Sequence, residues 1–297
     1  MNPQEQFCHN EACHASGQIG LGNITVHSQK ERRYRCNCCG KMFSAPNGYP
    51  KGTALANVKK AAGRFILVVT LLSYGCPVQA IVAAFGLDER TVRSWLLKAG
   101  KHSETVHDHL VGGSQLDLEQ VQADEIKGKS QGGSFGLAMA MMVPTRLWLG
   151  GAISPHRDKT LIRRLVTQVR RVALCRPLLL AVDGLASYVS VFQEAFRTPL
   201  RLGELGRPKL IAWPNINIVQ VVKERHHGLL DIQRQIVQGT CQQVTQLLRQ
   251  SRGRGVINTA YIERLNATFR QRIHALARRT RSLARTEQTL HAILKTE

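Results

Sequence analysis

Acidic residues are scarce in this chain of 297 residues. It contains 20 Asp and Glu against 41 Lys and Arg, which gives a formal net charge of +21. A positive excess of this size predicts a polyanion as the natural partner, and nucleic acid is the commonest polyanion. A membrane surface is the weaker alternative.

Long apolar runs and targeting signals are also missing. Residues 65–72 form the longest apolar stretch, far too short to span a bilayer. Residues 1–10 lack the basic-then-apolar pattern of a secretion signal. We therefore expect a cytoplasmic protein without a membrane partner, whose eight cysteines are reduced or bind metal. Hydrophobic residues make up 43% of the chain, enough for a core in one large or two to three small domains.

Five of the eight cysteines lie near the start of the chain, in two clusters separated by a polar, basic stretch. Two close thiol pairs brought together by a hairpin form the tetrahedral sulfur set that Zn²⁺ prefers. We predict a zinc-ribbon module at residues 1–50 whose ligands are Cys8, Cys13, Cys36 and Cys39. Cys38 is then a bystander, and the substitute ligands are His9, His14 or Cys38.

Residues 51–101 are predicted to form a helical DNA-binding module. The predicted helices lie at residues 53–73, 77–85 and 88–99. Asp88 is a suitable N-cap for the third helix, and Gly100 is a suitable stop signal. A short helix, a turn and a second helix are typical of a helix-turn-helix, whose second helix enters the major groove. An ordinary helical hairpin is the alternative. The basic side chains available to DNA are Arg90, Arg93 and Lys98.

Residues 102–116 are polar, contain two adjacent glycines and are predicted to be a linker. From residue 117 the pattern changes to three strands followed by helix, strand, helix and strand. This order predicts an α/β domain with a mixed sheet and helices on its faces. The first predicted strand is short and ends near Asp124. The other predicted strands occupy residues 135–143, 147–153, 178–182 and 209–213. The predicted helices occupy residues 159–173, 184–196, 228–250 and 258–277.

Two acids end predicted strands, and a third lies in an arginine-rich helix. Asp124 and Asp183 stand at strand ends, where open sheets flanked by helices place their sites. In the last predicted helix, Glu263, Asn266 and Arg270 follow one border of an apolar stripe. Residues 249–285 contain ten arginines and no other acid. An ion-pair partner is therefore the alternative role for Glu263.

These residues resemble the catalytic domain of bacterial insertion-sequence transposases of the DDE type, in the compact branch with an N-terminal zinc finger and helix-turn-helix. The matching segments are ADE at 123–125, VDG at 182–184 with Tyr188 downstream, and ERLNATFRQRIHALARRTRSL at 263–283. The resemblance extends over all three modules. It implies a ribonuclease-H-like fold for residues 117–297, and it implies that the catalytic acids and metal ligands are Asp124, Asp183 and Glu263.

The resemblance further implies metal-dependent DNA cleavage and strand transfer at transposon ends. Two Mg²⁺ or Mn²⁺ ions per site would relieve the repulsion between the carboxylates. The partners would be double-stranded DNA at the element's ends and at the target, bound by a homo-oligomer. Glu125 is the rival to Asp124 as first ligand, and only one of the two is expected to face the metal because strand neighbours point to opposite faces. The DNA-binding positions of the motif helix and beyond would be Asn266, Arg270, Arg272, Arg278, Arg279 and Arg281.

Two features depart from the family pattern. The stretch between Asp183 and Glu263 is long for the compact branch, which predicts an inserted subdomain at about residues 199–254. Family members also usually continue beyond the motif helix. The first alternative is therefore a DNA-binding regulator or decayed, inactive transposase-derived protein that uses only the zinc and helix-turn-helix modules. The second is a nuclease of the same fold, which hydrolyses DNA without joining it.

Overall fold

A computed structural model describes most of the chain. The described residues are 2–10, 12–31, 33–44, 62–131, 133–200, 208–226, 229–252, 255–277, 283 and 286–296. They divide into two compact units, residues 1–102 and 103–295. The first nine residues of the predicted helix at 53–73 lie outside the described ranges. Within those ranges, no helix combines the length and apolar character needed to cross a bilayer.

The first unit begins with a small antiparallel sheet. A single 3₁₀ turn, Pro3–Glu5, precedes its three strands. The strands are β1 Ile24–Ser28, β2 Arg33–Cys36 and β3 Met42–Ser44, in the spatial order β1-β2-β3. Its core consists of cysteines and apolar side chains, namely Cys8, Cys13, Ala15, Ile24, Tyr34 and Cys36. Cysteines therefore supply half of the buried side chains in this small core.

Three helices follow, α1 Ala62–Ser73, α2 Val78–Phe85 and α3 Glu89–His107. Gly86 ends α2 in the left-handed conformation at φ 58°, which a residue without Cβ adopts at no steric cost. The Asp88 side chain accepts the backbone N–H of Arg90 at 2.8 Å, as expected of an N-cap. The predicted pair of helices joined by a turn is therefore present.

The predicted stop at Gly100 is wrong, because α3 continues to His107 and a π-helical turn follows at Asp108–Gly112. A glycine ends a helix when it takes a left-handed conformation, and Gly100 is absent from the described glycines with positive φ. It instead lies buried on the packed face of α3 beside Ala99. Residues 102–112 of the predicted linker at 102–116 are therefore helical.

The second unit contains a six-stranded mixed sheet with the order β11-β10-β7-β4-β5-β6. The strands of this sheet are β4 Gln120–Ser130, β5 Gly133–Met142, β6 Trp148–Ser154, β7 Leu178–Asp183, β10 Ile216–His226 and β11 Leu229–Gln238. β7 pairs in parallel with both β4 and β10, whereas the other neighbours are antiparallel. The helices are α4 Lys159–Val172, α5 Ala186–Ala195, α6 Cys241–Gln250, α7 Ala260–Arg272 and α8 Glu287–Thr296. The predicted α/β class with a mixed sheet is thus confirmed.

Both faces of the sheet are buried by helices. On one face, α4 and α5 pack on alternate strand residues such as Val121, Ala123 and Val182. On the other face, α7 and α8 pack on a cluster that includes Ile126 and Met139, while α6 packs on Leu179, Ala181 and Val219. Because side chains alternate along a strand, neighbouring residues of β4 and β7 serve different layers.

Several sequence predictions fail between β7 and α7. The predicted strand at 209–213 exists as β9 Lys209–Ala212, but it pairs with β8 Arg197–Leu200 in a separate two-stranded sheet. The predicted helix at 228–250 is β11 followed by α6. The described part of the predicted insertion at 199–254 therefore supplies two strands of the main sheet. Pairing partners decide strand formation in such a Gln-rich segment, and local composition does not reveal them.

Candidate functional site

Four thiols in the first unit converge on one point. The Sγ atoms of Cys8, Cys13, Cys36 and Cys39 all lie within 4.8 Å of one another. Cys8 and Cys39 are 3.5 Å apart. Cys38 is exposed and outside the group, as predicted for a bystander. This arrangement could hold a zinc ion.

Burial and backbone donors shift the pKa values of the four thiols in opposite directions. Burial opposes ionisation of Cys36, but the backbone N–H groups of Cys39 and Cys38 outweigh it and lower its pKa to about 6. Burial raises the pKa of Cys8 to about 12. Gly40, at φ 68°, donates its N–H to the Cys36 carbonyl at 2.8 Å, which folds the chain back beneath the group. A bound cation would allow all four thiols to ionise together.

We expect that the full-length chain carries about one zinc ion and that Cys36→Ser removes it. Thiolates are required as ligands, and a structural zinc site contributes directly to folding. The measurement is metal content by mass spectrometry after gel filtration. Cys38→Ser is the matched control, because its thiol is exposed, and it should retain the metal. Equal zinc content in the two variants would contradict the four-cysteine site.

Two acids converge on neighbouring strands of the second unit. Ala123 pairs with Val182 in the parallel register of β4 and β7, so Asp124 and Asp183 follow side by side and face the same layer. One carboxylate oxygen of each aspartate and one of Glu125 lie within 4.8 Å of one another. The expectation that a strand ends near Asp124 is wrong, since β4 runs on to Ser130. It is β7 that ends here, at Asp183.

Hydrogen bonds orient the two aspartates. Asp183 Oδ1 accepts the N–H of Leu185 at 3.1 Å, and Asp124 Oδ1 accepts the N–H of Glu125 at 2.7 Å. Burial raises the pKa of Asp124 to about 7, with further contributions from the charges of Asp183 and Glu125. Burial and the Glu125 carboxylate also raise the pKa of Asp183. Carboxylates that resist ionisation together are what a divalent cation would stabilise.

Glu125 belongs to the same group from the other face of the strand. Its side chain is fully buried and forms an ion pair with Arg157. Its Oε2 and the Tyr188 hydroxyl are both buried without a hydrogen-bond partner among the described residues. Burial, followed by the charge of Glu125, raises the pKa of Tyr188. Both adjacent acids therefore have a carboxylate oxygen in the group, and which of the two would face a metal ion stays a prediction.

Glu263, the predicted third acid, does not join this group. It accepts a hydrogen bond from Thr259 Oγ1 at 2.5 Å and forms an ion pair with Lys223 of β10. The residue of α7 that reaches the aspartates is Asn266, whose Nδ2 donates to Asp124 Oδ2 at 2.7 Å. Glu263 is nevertheless close enough to contribute to the raised pKa of Asp124.

Gln122 attaches α7 to the sheet. Its Oε1 accepts the N–H groups of Tyr261 and Ile262 at 3.0 Å, and its Nε2 donates to the Asn258 carbonyl at 2.7 Å. Gln122 lies two residues before Asp124 on β4 and therefore on the same face. Sequence reasoning missed this contact, because the sequence does not reveal that Gln122 is buried. The predicted helix at 258–277 is also too long, because α7 ends at Arg272 and Ile273 is extended.

The predicted DNA-binding residues are placed unevenly. Arg90 and Lys98 are exposed on α3, whereas Arg93 forms an ion pair with Glu89 at 2.6 Å. Arg270 and Arg272 lie in the last turn of α7. Three predicted phosphate ligands lie outside the described residues, namely Arg278, Arg279 and Arg281.

No model of a known protein family matches the chain, and no curated protein matches its sequence significantly. The two groups of side chains are therefore the observations that bear on function.

We expect Asp124→Asn to stabilise the metal-free protein at neutral and higher pH. The folded protein holds the Asp124 proton up to about pH 7, whereas the unfolded chain releases it at about pH 4. Stability of the parent therefore falls as pH rises through this window, and the full effect is about 4 kcal/mol at most. The asparagine variant lacks this loss.

Urea unfolding of parent and variant in the presence of a chelator checks this expectation. The difference in free energy of unfolding should be smallest at pH 4 and largest at pH 8. A difference that does not change with pH would show that Asp124 is not held protonated by the fold.

Proposed function

We propose that this chain is a transposase of the DDE type, which cuts and joins DNA at transposon ends through a ribonuclease-H-like domain. The observation that carries the proposal is the convergence of Asp124 and Asp183 on adjacent parallel strands beneath α7. The net charge of +21 supports a polyanionic substrate. The four-thiol group and the helix pair in the first unit support a separate DNA-binding part.

The donor set around the aspartates fits hard divalent cations. Three carboxylates lie within 4.8 Å of one another, and oxygen donors of this kind suit Mg²⁺ or Mn²⁺. Glu125 Oε2 and Asn266 Oδ1 are buried at the site without a hydrogen-bond partner among the described residues. Asp124 and Asp183 would hold the metal ions; the resemblance implies Glu263 as the third ligand, although Glu125 is the carboxylate that lies beside them here. When bound, two such ions activate a water or a DNA 3′-hydroxyl and stabilise the leaving oxygen.

The protein's own side chains position the reacting groups. Asn266 holds Asp124 in one orientation, and the Gln122 contacts hold α7 in register with β4. Glu263 is partly exposed and paired with Lys223, so its side chain would have to turn toward the aspartates to act as the third ligand. Reaction in line at a phosphate then depends on positioning and charge, and no covalent intermediate with the protein is needed.

The ion pair of Glu263 with Lys223 favours a second candidate. In this alternative the helix acid is structural, and the protein is a DNA-binding regulator or inactive derivative. The two candidates differ in a single measurable property, which is metal-dependent strand cleavage of DNA.

We predict that Asp183→Asn abolishes Mg²⁺-dependent cleavage and joining while DNA binding is retained. The amide keeps the side chain's shape but removes the charge that binds the cation. The substrates are duplexes from the DNA flanking the gene, with products resolved on denaturing gels. Asp117→Asn is the matched control, because Asp117 pairs with Arg176 at the surface, and it should cleave like the parent. Full activity of the Asp183 variant would rule the assignment out.

Glu263→Gln separates the two candidates most directly. If Glu263 is only an ion-pair partner, its loss should cost about 0–1 kcal/mol of stability and leave cleavage intact. We predict instead a loss of several orders of magnitude in cleavage rate, with unchanged or tighter DNA binding because a negative charge near phosphate is removed. Glu194→Gln is the control, since Glu194 pairs with Lys159 and Arg163 in the same manner. Equal cleavage by both variants would favour the regulator.

A further inference from the structure

A second polar recess lies next to the acid group and is not used by the proposed chemistry. It is a cavity of about 410 Å³, lined by Lys127, Ser134, Phe135, Gly136, Pro155, His156 and Arg157. Lys127 comes two residues after Glu125 on β4 and therefore points to the same face of the sheet. The cavity thus opens on the face where α4 begins, whereas α7 covers the opposite face.

Arg157 connects the cavity to the acids. Its guanidinium contacts the buried Glu125 carboxylate, yet 45% of its side chain remains exposed. The side chain lies across β5 at Gly136, because a Cβ there would be only 2.7 Å from Arg157 Cγ and 2.8 Å from a methyl group of Leu161. Glycine at position 136 therefore allows the arginine to lie flat between the cavity and the acid group.

The lining has the chemistry of an anion site. Lys127, His156 and Arg157 supply nitrogen donors, and the described lining contains no acidic residue. A guanidinium has five N–H donors in a planar fork, so Arg157 can bind Glu125 and still offer donors to a second oxyanion. Planar, bidentate donation of this kind matches a phosphate group.

We propose that this cavity binds a backbone phosphate of the DNA strand that is cut. The bound phosphate would be a neighbour of the scissile phosphate on that strand. The inference rests on the proposed function for its substrate, although the binding can be tested without cleavage. A strand phosphate held by Lys127 and Arg157 would be fixed relative to the carboxylates, because Arg157 contacts Glu125 directly. The cavity would thus set where along the strand the acids meet the scissile phosphate.

The test compares Lys127→Gln with Lys129→Gln in the full-length chain. Lys129 lies two residues further along the same strand, is also exposed, and is not part of the lining. The readout is the slope of log binding constant against log salt for a duplex and for its single strand. Loss of one phosphate contact should reduce the slope by about 0.9 for the duplex or 0.7 for the single strand. Lys127→Arg keeps the charge and should keep the slope.

The subsite is supported if Lys127→Gln lowers the slope while Lys129→Gln and Lys127→Arg do not. It is overturned if the two glutamine variants behave alike, since the effect would then be general surface charge. It is also overturned if inorganic phosphate alone raises the melting temperature through Lys127 while DNA binding is independent of this residue, because the cavity would then be a free-phosphate site.

Failure of the subsite and failure of the proposed function give different results. If cleavage depends on Asp183 but the Lys127 variant binds DNA like the parent, the transposase proposal stands and the phosphate subsite is rejected. If the parent does not cleave DNA but the salt dependence of its binding changes in the Lys127 variant, the cavity is a DNA-binding site and the enzymatic proposal is rejected. A parent chain that binds neither DNA form overturns both.

Discussion

The parallel pairing of β4 with β7 is the constraint on which the rest of the candidate site depends. Ala123 and Val182 form the last pair of this register, so the next residue of each strand is an aspartate and both face one layer. A shift by one residue would turn one carboxylate to the opposite face and destroy the group. Buried apolar partners on both faces hold the register, which makes the position of the acids a consequence of core packing.

Burial and mutual repulsion make this group electrostatically costly in a protein that is otherwise strongly basic. The pKa of Asp124 is raised to about 7 mainly by burial, and the fully buried Glu125 side chain forms an ion pair with Arg157. A fold that keeps several carboxylates together under these conditions stabilises them through hydrogen bonds or cations. Ionising the four thiols of the first unit together is costly for the same reason, since burial raises the pKa of Cys8 to about 12.

Helix α7 is held at the site by polar contacts as well as by its apolar face. The Gln122 side chain accepts the backbone N–H groups of Tyr261 and Ile262 in the first turn of α7. One helical turn after Glu263, the Asn266 side chain donates a hydrogen bond to Asp124. These hydrogen bonds fix the position of the helix relative to the acids. The partly exposed Glu263 side chain forms an ion pair with Lys223. A helix held in this way, with an exposed glutamate in its first turn, is compatible with the proposal that Glu263 turns toward the aspartates only when metal and DNA are bound.

Four features were predictable from the sequence by itself. They are the cysteine group, the helix pair around Gly86, the mixed α/β class, and which two aspartates, Asp124 and Asp183, come together. Each rests on local chemistry, such as thiol spacing, a left-handed glycine or an acid after an apolar run. Only the tertiary structure decided that β10 and β11 complete the sheet, that the carboxylate of Glu125 joins those of the aspartates, and that Asn266 rather than Glu263 contacts Asp124. These features depend on partners distant in sequence, and neither periodicity nor spacing encodes which strand or side chain a residue will meet.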